Sequence, residues 1–171
     1  IGTDTIKIGM LHSAEVVNVV ADKIEQYKIK NVVLDPVMVS TSGHRLIEEQ
    51  AVEVLKLRLV PLARVITPNI PEAEILAGVK ITSEAQFAEV ARILSNGGKN
   101  SVLLKAGHLS EDILTDYLYN AEDDTFTTLP SARVDTKNTH GTGCTLSSAL
   151  AAALARGFSL TEAAKMAKHY I

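Results

Sequence analysis

One run of residues combines the types and spacing that handle phosphate: Asn138-Thr139-His140-Gly141-Thr142-Gly143-Cys144-Thr145, leading into an Ala/Leu-rich stretch that reads as a helix to Arg156. Gly141 and Gly143 let the backbone approach an anion closely. The N–H groups and dipole of the first helical turn favour negative charge there, so the run can cradle a phosphate. A glycine-bearing helix start is also often a plain tight turn. It is not a P-loop, because no Lys follows the second Gly, nor a dinucleotide fingerprint, because the Gly-x-Gly-x-x-Gly spacing is absent. Cys144 is the single cysteine of the chain. Free cysteine is most often a small buried hydrophobe, but a thiol at a helix start is also placed to take a proton from an alcohol.

Three other polar clusters each close an apolar run: Asp35-Pro36-Val37-Met38, Thr67-Pro68-Asn69-Ile70-Pro71-Glu72 and Lys105-Ala106-Gly107-His108. In open parallel sheets ligands bind beyond the carboxyl ends of the strands, so these clusters are expected along one rim. Asp35 suits a metal or phosphate site, against the plainer reading of a strand-end turn. Lys105 suits a point charge on phosphate oxygens, against that of a surface lysine. Thr67 and Thr139 are weaker candidates for a nucleotide site. Residues two apart on a helix point differently, so Glu72 and Glu74 cannot share a face; Glu72 is the site candidate and Glu74 is left as solvated surface. The five histidines form no His-x-x-x-His pair, which argues against structural zinc.

The elements that must position these residues follow from periodicity. Short apolar runs at Ile6 to Met10, Asn31 to Leu34, Arg64 to Thr67 and Ser101 to Lys105 alternate with helical stretches, which is βαβα order. Ala14 to Tyr27 carries Val16, Val17, Val20 and Ile24, and Glu48 to Leu59 carries Val52, Leu55 and Leu59, at helical spacing. Ser13 and Ser83 are expected caps. Ile113 to Tyr119 and Thr125 to Leu129, separated by the acidic turn Asn120 to Asp124, read as an antiparallel hairpin at the sheet edge. The last helix opens at Ser159 or Leu160, and the stripe Leu146, Leu150, Ala153, Leu154 reads as core.

A chain of 171 residues with 46% apolar content is enough for one domain and one core. Its longest apolar run, Ala149 to Ala155, is far too short for a membrane span. A net charge of −3, no Trp and no aromatic-plus-basic stripe argue against a nucleic-acid surface and leave small molecules as expected partners. A single cysteine and no charged-then-apolar leader point to a reducing cytoplasm. The chain opens on Ile1 and closes on Ile171 within a helical pattern, so it is read as a single domain over 1–171, incomplete at both ends.

Taken together, DPVM at Asp35, TPNIPEAE at Thr67 to Glu74, KAGH at Lys105 and HGTGCT at His140 resemble the hydroxymethylpyrimidine and phosphomethylpyrimidine kinases of the ribokinase-like superfamily. The resemblance extends from KIGML at Lys7 to the final helix. It implies a three-layer α/β/α sandwich with a mainly parallel sheet, dimeric when intact. The implied enzyme phosphorylates 4-amino-5-hydroxymethyl-2-methylpyrimidine and then its monophosphate, with ATP and magnesium, in thiamine biosynthesis. It further implies Cys144 as the base, Gly141, Thr142 and Gly143 as backbone donors to the transferring phosphoryl group, and Lys105, Thr139, Thr67 and Asn69 around the nucleotide and its phosphates. Asp35 and Glu72 would stand at the metal, Glu72 within an Asn-x-x-Glu element headed by Asn69. Related sugar and pyridoxal kinases usually carry Asp where Cys144 stands, so cysteine favours the pyrimidine branch. Ala106 departs from the family's usual Gly. Pyridoxine or pyridoxal phosphorylation, and a non-catalytic ligand-sensing module of the same fold, are the rival readings.

Overall fold

The computed structural model describes residues 2–39, 46–105, 113–132 and 141–171. Among the described residues six strands form one sheet in the order in which they occur: β1 (Ile6–Ile8), β2 (Val32–Leu34), β3 (Val65–Ile66), β4 (Ser101–Leu104), β5 (Ile113–Asn120) and β6 (Thr125–Ala132). β1 to β4 pair in parallel, while β5 runs antiparallel to β4 and β6 antiparallel to β5. The expected edge hairpin is present. Its turn is held by Asn120 Oδ1, which accepts from Glu122 N, and by Asp123, which accepts from the Thr125 backbone and hydroxyl.

Side chains alternate across a strand, and here both alternate sets are buried because helices cover both faces. Val32, Leu34, Ile66, Val102 and Leu104 pack toward α1 (Ala14–Tyr27), α2 (Glu49–Val54), α3 (Ile70–Ala77) and α4 (Phe87–Leu94). Val33, Val65, Leu103 and Leu118 pack toward α5 (Thr142–Ala155) and α6 (Leu160–Tyr170), against Leu146, Leu150 and Leu154. The result is the expected three-layer α/β/α sandwich. Among the described residues no helix is long and apolar enough to cross a membrane.

The helices keep most of their expected boundaries. Ser13 caps α1 by accepting from Val16 N, and Ser159 caps α6 in a capping box with Glu162. In α1 the buried positions are Val17, Ala21 and Ile24, so Val16, read as part of the apolar stripe, faces outward instead. The stretch expected as one helix from Glu48 to Leu59 is α-helical only over Glu49–Val54, then widens to a π turn over Leu55–Leu59 and tightens to a 3-10 turn over Val60–Leu62. Leu55 and Leu59 are buried and Leu57 is exposed. The wider turn keeps both leucines on the core before Pro61 stops the helix.

Candidate functional site

The alternation that builds the core also builds the site. Val33, Val65 and Leu103 face α5, so the residues two further on, Asp35, Thr67 and Lys105, belong to the same face just beyond the strand ends. The ladder continues into them: Asp35 N donates to Ile8 O, Thr67 N to Leu34 O and Lys105 N to Pro68 O, with a parallel bridge between Asn69 and Lys105.

Asp35 is the hub. Lys105 Nζ donates to its Oδ1 at 2.9 Å, Thr67 Oγ1 to the same oxygen at 3.2 Å, and Ser147 Oγ to Oδ2 at 3.0 Å. Lys7 Nζ stands 3.7 Å from Oδ2. Asp35 is only 1% exposed. Burial alone would push its carboxyl upward, but the charge and hydrogen bond of Lys105, the charge of Lys7 and the Ser147 hydroxyl more than offset that, holding it below the ordinary carboxylate value.

Glu72 lies beside this hub at the start of α3. Its Oε2 accepts from Asn69 N at 2.9 Å and its Oε1 from Met38 N at 3.4 Å, while Asn69 Oδ1 accepts from Glu72 N, closing a capping box. Burial raises its pKa; the Lys105 charge and the Asn69 N–H oppose this and the Asp35 charge adds to it, leaving it above the ordinary value. Two neighbouring carboxylates are thus shifted in opposite directions. The Lys105 charge lowers both, and among the described residues its hydrogen bond goes to Asp35 and not to Glu72.

The start of α5 meets the same face. Gly141 has φ 85°, a left-handed conformation that favours glycine, and it is the N-cap residue of the helix. Gly143 serves differently: a Cβ there would lie 3.2 Å from Lys105 Nζ, so its bare backbone makes room for the ammonium group. Thr142 opens the helix, and Ser147, one turn on from Gly143, shares its hydroxyl among Asp35 and the carbonyls of Gly143 and Cys144. Cys144 is exposed and opens onto a groove of about 640 Å³ along α5 and α6, lined also by Ala149, Ala152, Met166 and Tyr170.

The rim therefore gathers Asp35, Thr67, Lys105, Asn69 and Glu72 with Gly143 and Ser147; Gly141 and Thr142 open α5, and the Cys144 side chain lines the groove along α5 and α6 with Ser148 and Ala152. Thr139 and Ala106 lie outside the described residues. Thr67 is fully buried and its hydroxyl donates to Asp35. Lys105 is no surface lysine: its side chain is 16% exposed. Glu74 is not simply solvated either, because its carboxylate accepts from Ile81 N and Lys80 Nζ and ties the end of α3 to the following loop. Two participants escape a reading of the motifs. Lys7 lies between two apolar residues of a strand, which is itself an unusual place for a cation. Ser147 is one small residue among many in α5, and nothing local distinguishes it.

The sandwich and its rim define the class as the ribokinase-like α/β kinases. The chain is 37% identical to Bacillus subtilis pyridoxal kinase, solved as an ADP complex, with a TM-score of 0.90 over 100% of this chain and 64% of that one. It is 38% identical to the phosphomethylpyrimidine kinase of Clostridium difficile, with a TM-score of 0.85 over 98% of this chain and 67% of that one. The hydroxymethylpyrimidine/phosphomethylpyrimidine kinase of Rhizobium meliloti is 44% identical over 167 residues, 97% of this chain and 62% of that protein. The phosphomethylpyrimidine kinase family matches residues 1–171, and the chain belongs to that family. It spans about three fifths of the length of the Rhizobium relative.

Proposed function

We propose that the protein carrying this chain transfers the γ-phosphoryl group of ATP to the hydroxymethyl group of 4-amino-5-hydroxymethyl-2-methylpyrimidine, and then phosphorylates the resulting monophosphate, as a step of thiamine biosynthesis in the cytoplasm. The observation that carries the reading is the meeting of Lys105 and Asp35 with the glycine-opened start of α5, in a member of this family.

In this reading catalysis is positioning and charge neutralisation. Lys105 turns its ammonium group to the phosphate oxygens, and the backbone N–H groups of Gly141, Thr142 and Gly143 stabilise the charge that develops on the transferring group. Cys144, exposed at the helix start, takes the alcohol proton as the oxygen attacks. Asn69 holds Glu72 in place and Thr67 holds Asp35.

Magnesium suits this donor set. Mg²⁺ is usually held by one or two carboxylates, with water and substrate phosphates filling its other positions. Among the described residues no group of three or more His, Cys, Asp or Glu side chains gathers, but Asp35 and Glu72 are near enough for their charges to act on each other. These two would hold the ion through water, and it would supply further neutralisation of the phosphate oxygens.

The likeness to a pyridoxal kinase favours a second reading, in which the acceptor is pyridoxal, also a flat hydroxymethyl heteroaromatic. The two are separated by offering the full-length protein both acceptors at equal concentration with ATP and following ADP release and product identity. Faster phosphorylation of the pyrimidine is expected. Preference for pyridoxal would move the assignment to the second reading, and turnover of neither would leave a binding module.

A further inference from the structure

Lys7 enters the site without a part in the chemistry above. It is paired in register with Val33, so it belongs to the α5-facing side of the sheet, and its side chain is 19% exposed. Its ammonium group stands 3.7 Å from Asp35 Oδ2, while that of Lys105 lies 2.9 Å from Oδ1. Each lysine occupies a slot opened by a glycine: a Cβ on Gly9 would lie 3.0 Å from Lys7 Nζ, and one on Gly143 would lie 3.2 Å from Lys105 Nζ.

Asp35 thus carries two cations, one at each oxygen, and only Lys105 is hydrogen-bonded to it. Even if one of its three N–H groups stays on Asp35, a Lys105 that turns to a phosphate oxygen divides its charge between the two, and the carboxylate loses part of its counter-charge. A buried carboxylate stripped of its partner is strongly unfavourable, and here a second carboxylate, Glu72, stands nearby to worsen it. The hydroxyls of Ser147 and Thr67 stay in place but bring no charge. Lys7 brings a full charge and has less than about 1 Å to travel before it too can donate to Asp35.

We propose that Lys7 is a positioning residue that takes over Asp35 when Lys105 leaves it for the nucleotide phosphates. The inference rests on the phosphate role given to Lys105 in the proposed function, but not on the identity of the acceptor. Lys7 touches no phosphate itself; it lowers the cost of releasing the lysine that does.

The test is a double-mutant cycle on ADP affinity, measured by titration calorimetry on the full-length protein in the absence of magnesium, since the ion assigned above to Asp35 and Glu72 would itself supply counter-charge. Lys7→Met should weaken ADP binding about tenfold, and Lys7→Arg should recover most of it. Lys105→Met should weaken binding as well, and adding Lys7→Met to it should cost less than about twofold more, because no lysine remains to be released. Circular dichroism confirms that each variant is folded, and Lys7→Arg keeps a cation in the slot should Lys7→Met fail to fold. Equal losses from Lys7→Met with and without Lys105 would overturn the proposal, since that is the mark of a direct phosphate contact or of general damage. So would unchanged ADP affinity in Lys7→Met, failure of Lys7→Arg to rescue, or a wild type that binds no ADP. ADP binding needs no acceptor, so a protein that shows the coupling yet phosphorylates no pyrimidine would lose the proposed function and keep this inference.

Discussion

Asp35 joins β1, β2, β3, β4 and α5 through one carboxylate, so its charge state and the stability of the fold are linked. Its folded-state pKa is depressed below the ordinary value of about 3.9. A depressed acid contributes stability that is fully present above its unfolded pKa and is lost as pH falls through the folded value. Glu72 is raised and has the opposite sign: its contribution is largest below the ordinary glutamate value and is lost as pH rises through the folded one. Asp35→Asn should therefore cost roughly 3 kcal/mol at neutral pH, because it leaves Lys105 and Lys7 without their counter-charge. Unfolding midpoints followed from pH 7 down to about 2 should also show less loss of stability below about pH 4 in the variant than in the wild type. Parallel acid limbs would mean that Asp35 is not the group being protonated.

Cys144 admits a sharper chemical test at the same scale. In the proposed reaction the first acceptor is an alcohol that must lose a proton as it attacks. The second is a phosphate monoester, whose second pKa of about 6 leaves it largely dianionic at neutral pH. Cys144→Ala should slow the first transfer by about 10² to 10⁴ and the second by much less, and Cys144→Asp should restore part of the first. Single-turnover phosphorylation of each acceptor provides the measurement. Equal losses in the two steps would assign Cys144 to the shape of the helix start rather than to proton removal.

At the scale of the elements, the start of α5 separates two uses of glycine. Gly141 is required by its dihedral angle, while Gly143 is required by a neighbour. Gly143→Ala should change stability by less than about 1 kcal/mol, since alanine is the better helix residue and only the flexible tip of Lys105 must yield. ADP affinity should nonetheless fall about tenfold, equivalent to about 1.4 kcal/mol, as Lys105 is displaced. Thermal melts paired with ADP titrations report the two quantities, and a stability loss equal to the affinity loss would contradict the assignment.

These elements also mark what the sequence makes legible. Asp35, Thr67, Asn69 and Lys105 can be found because each follows an apolar run, and a strand end fixes both a rim and a face. Lys7 and Ser147 cannot be found in that way. Their meaning depends on which strand lies beside which and on how α5 is turned, and both are tertiary facts. The break in the stretch from Glu48 to Leu59 is hidden for a related reason: the spacing of Leu55 and Leu59 suits a helix, and only packing decides that the turn between them widens.

For the whole molecule, the order of the strands in space is their order along the chain. Within these residues each strand can add to the one before it, without waiting for a later partner. α5 and α6 follow β6 and cover the second face. Ser147 and Asp35, 112 residues apart, can meet only at that stage. Contacts formed after the folding barrier govern how fast a protein unfolds rather than how fast it folds. Ser147→Ala should accordingly speed unfolding about tenfold, the order expected for losing a hydrogen bond to a charged group, and leave the refolding rate nearly unchanged in stopped-flow denaturant jumps. A slowed refolding limb would put this contact in the folding nucleus instead. On this account a ribosome stalled before α5 would present these six strands with Asp35 lacking its Ser147 hydrogen bond and with Val33, Val65 and Leu103 uncovered by α5.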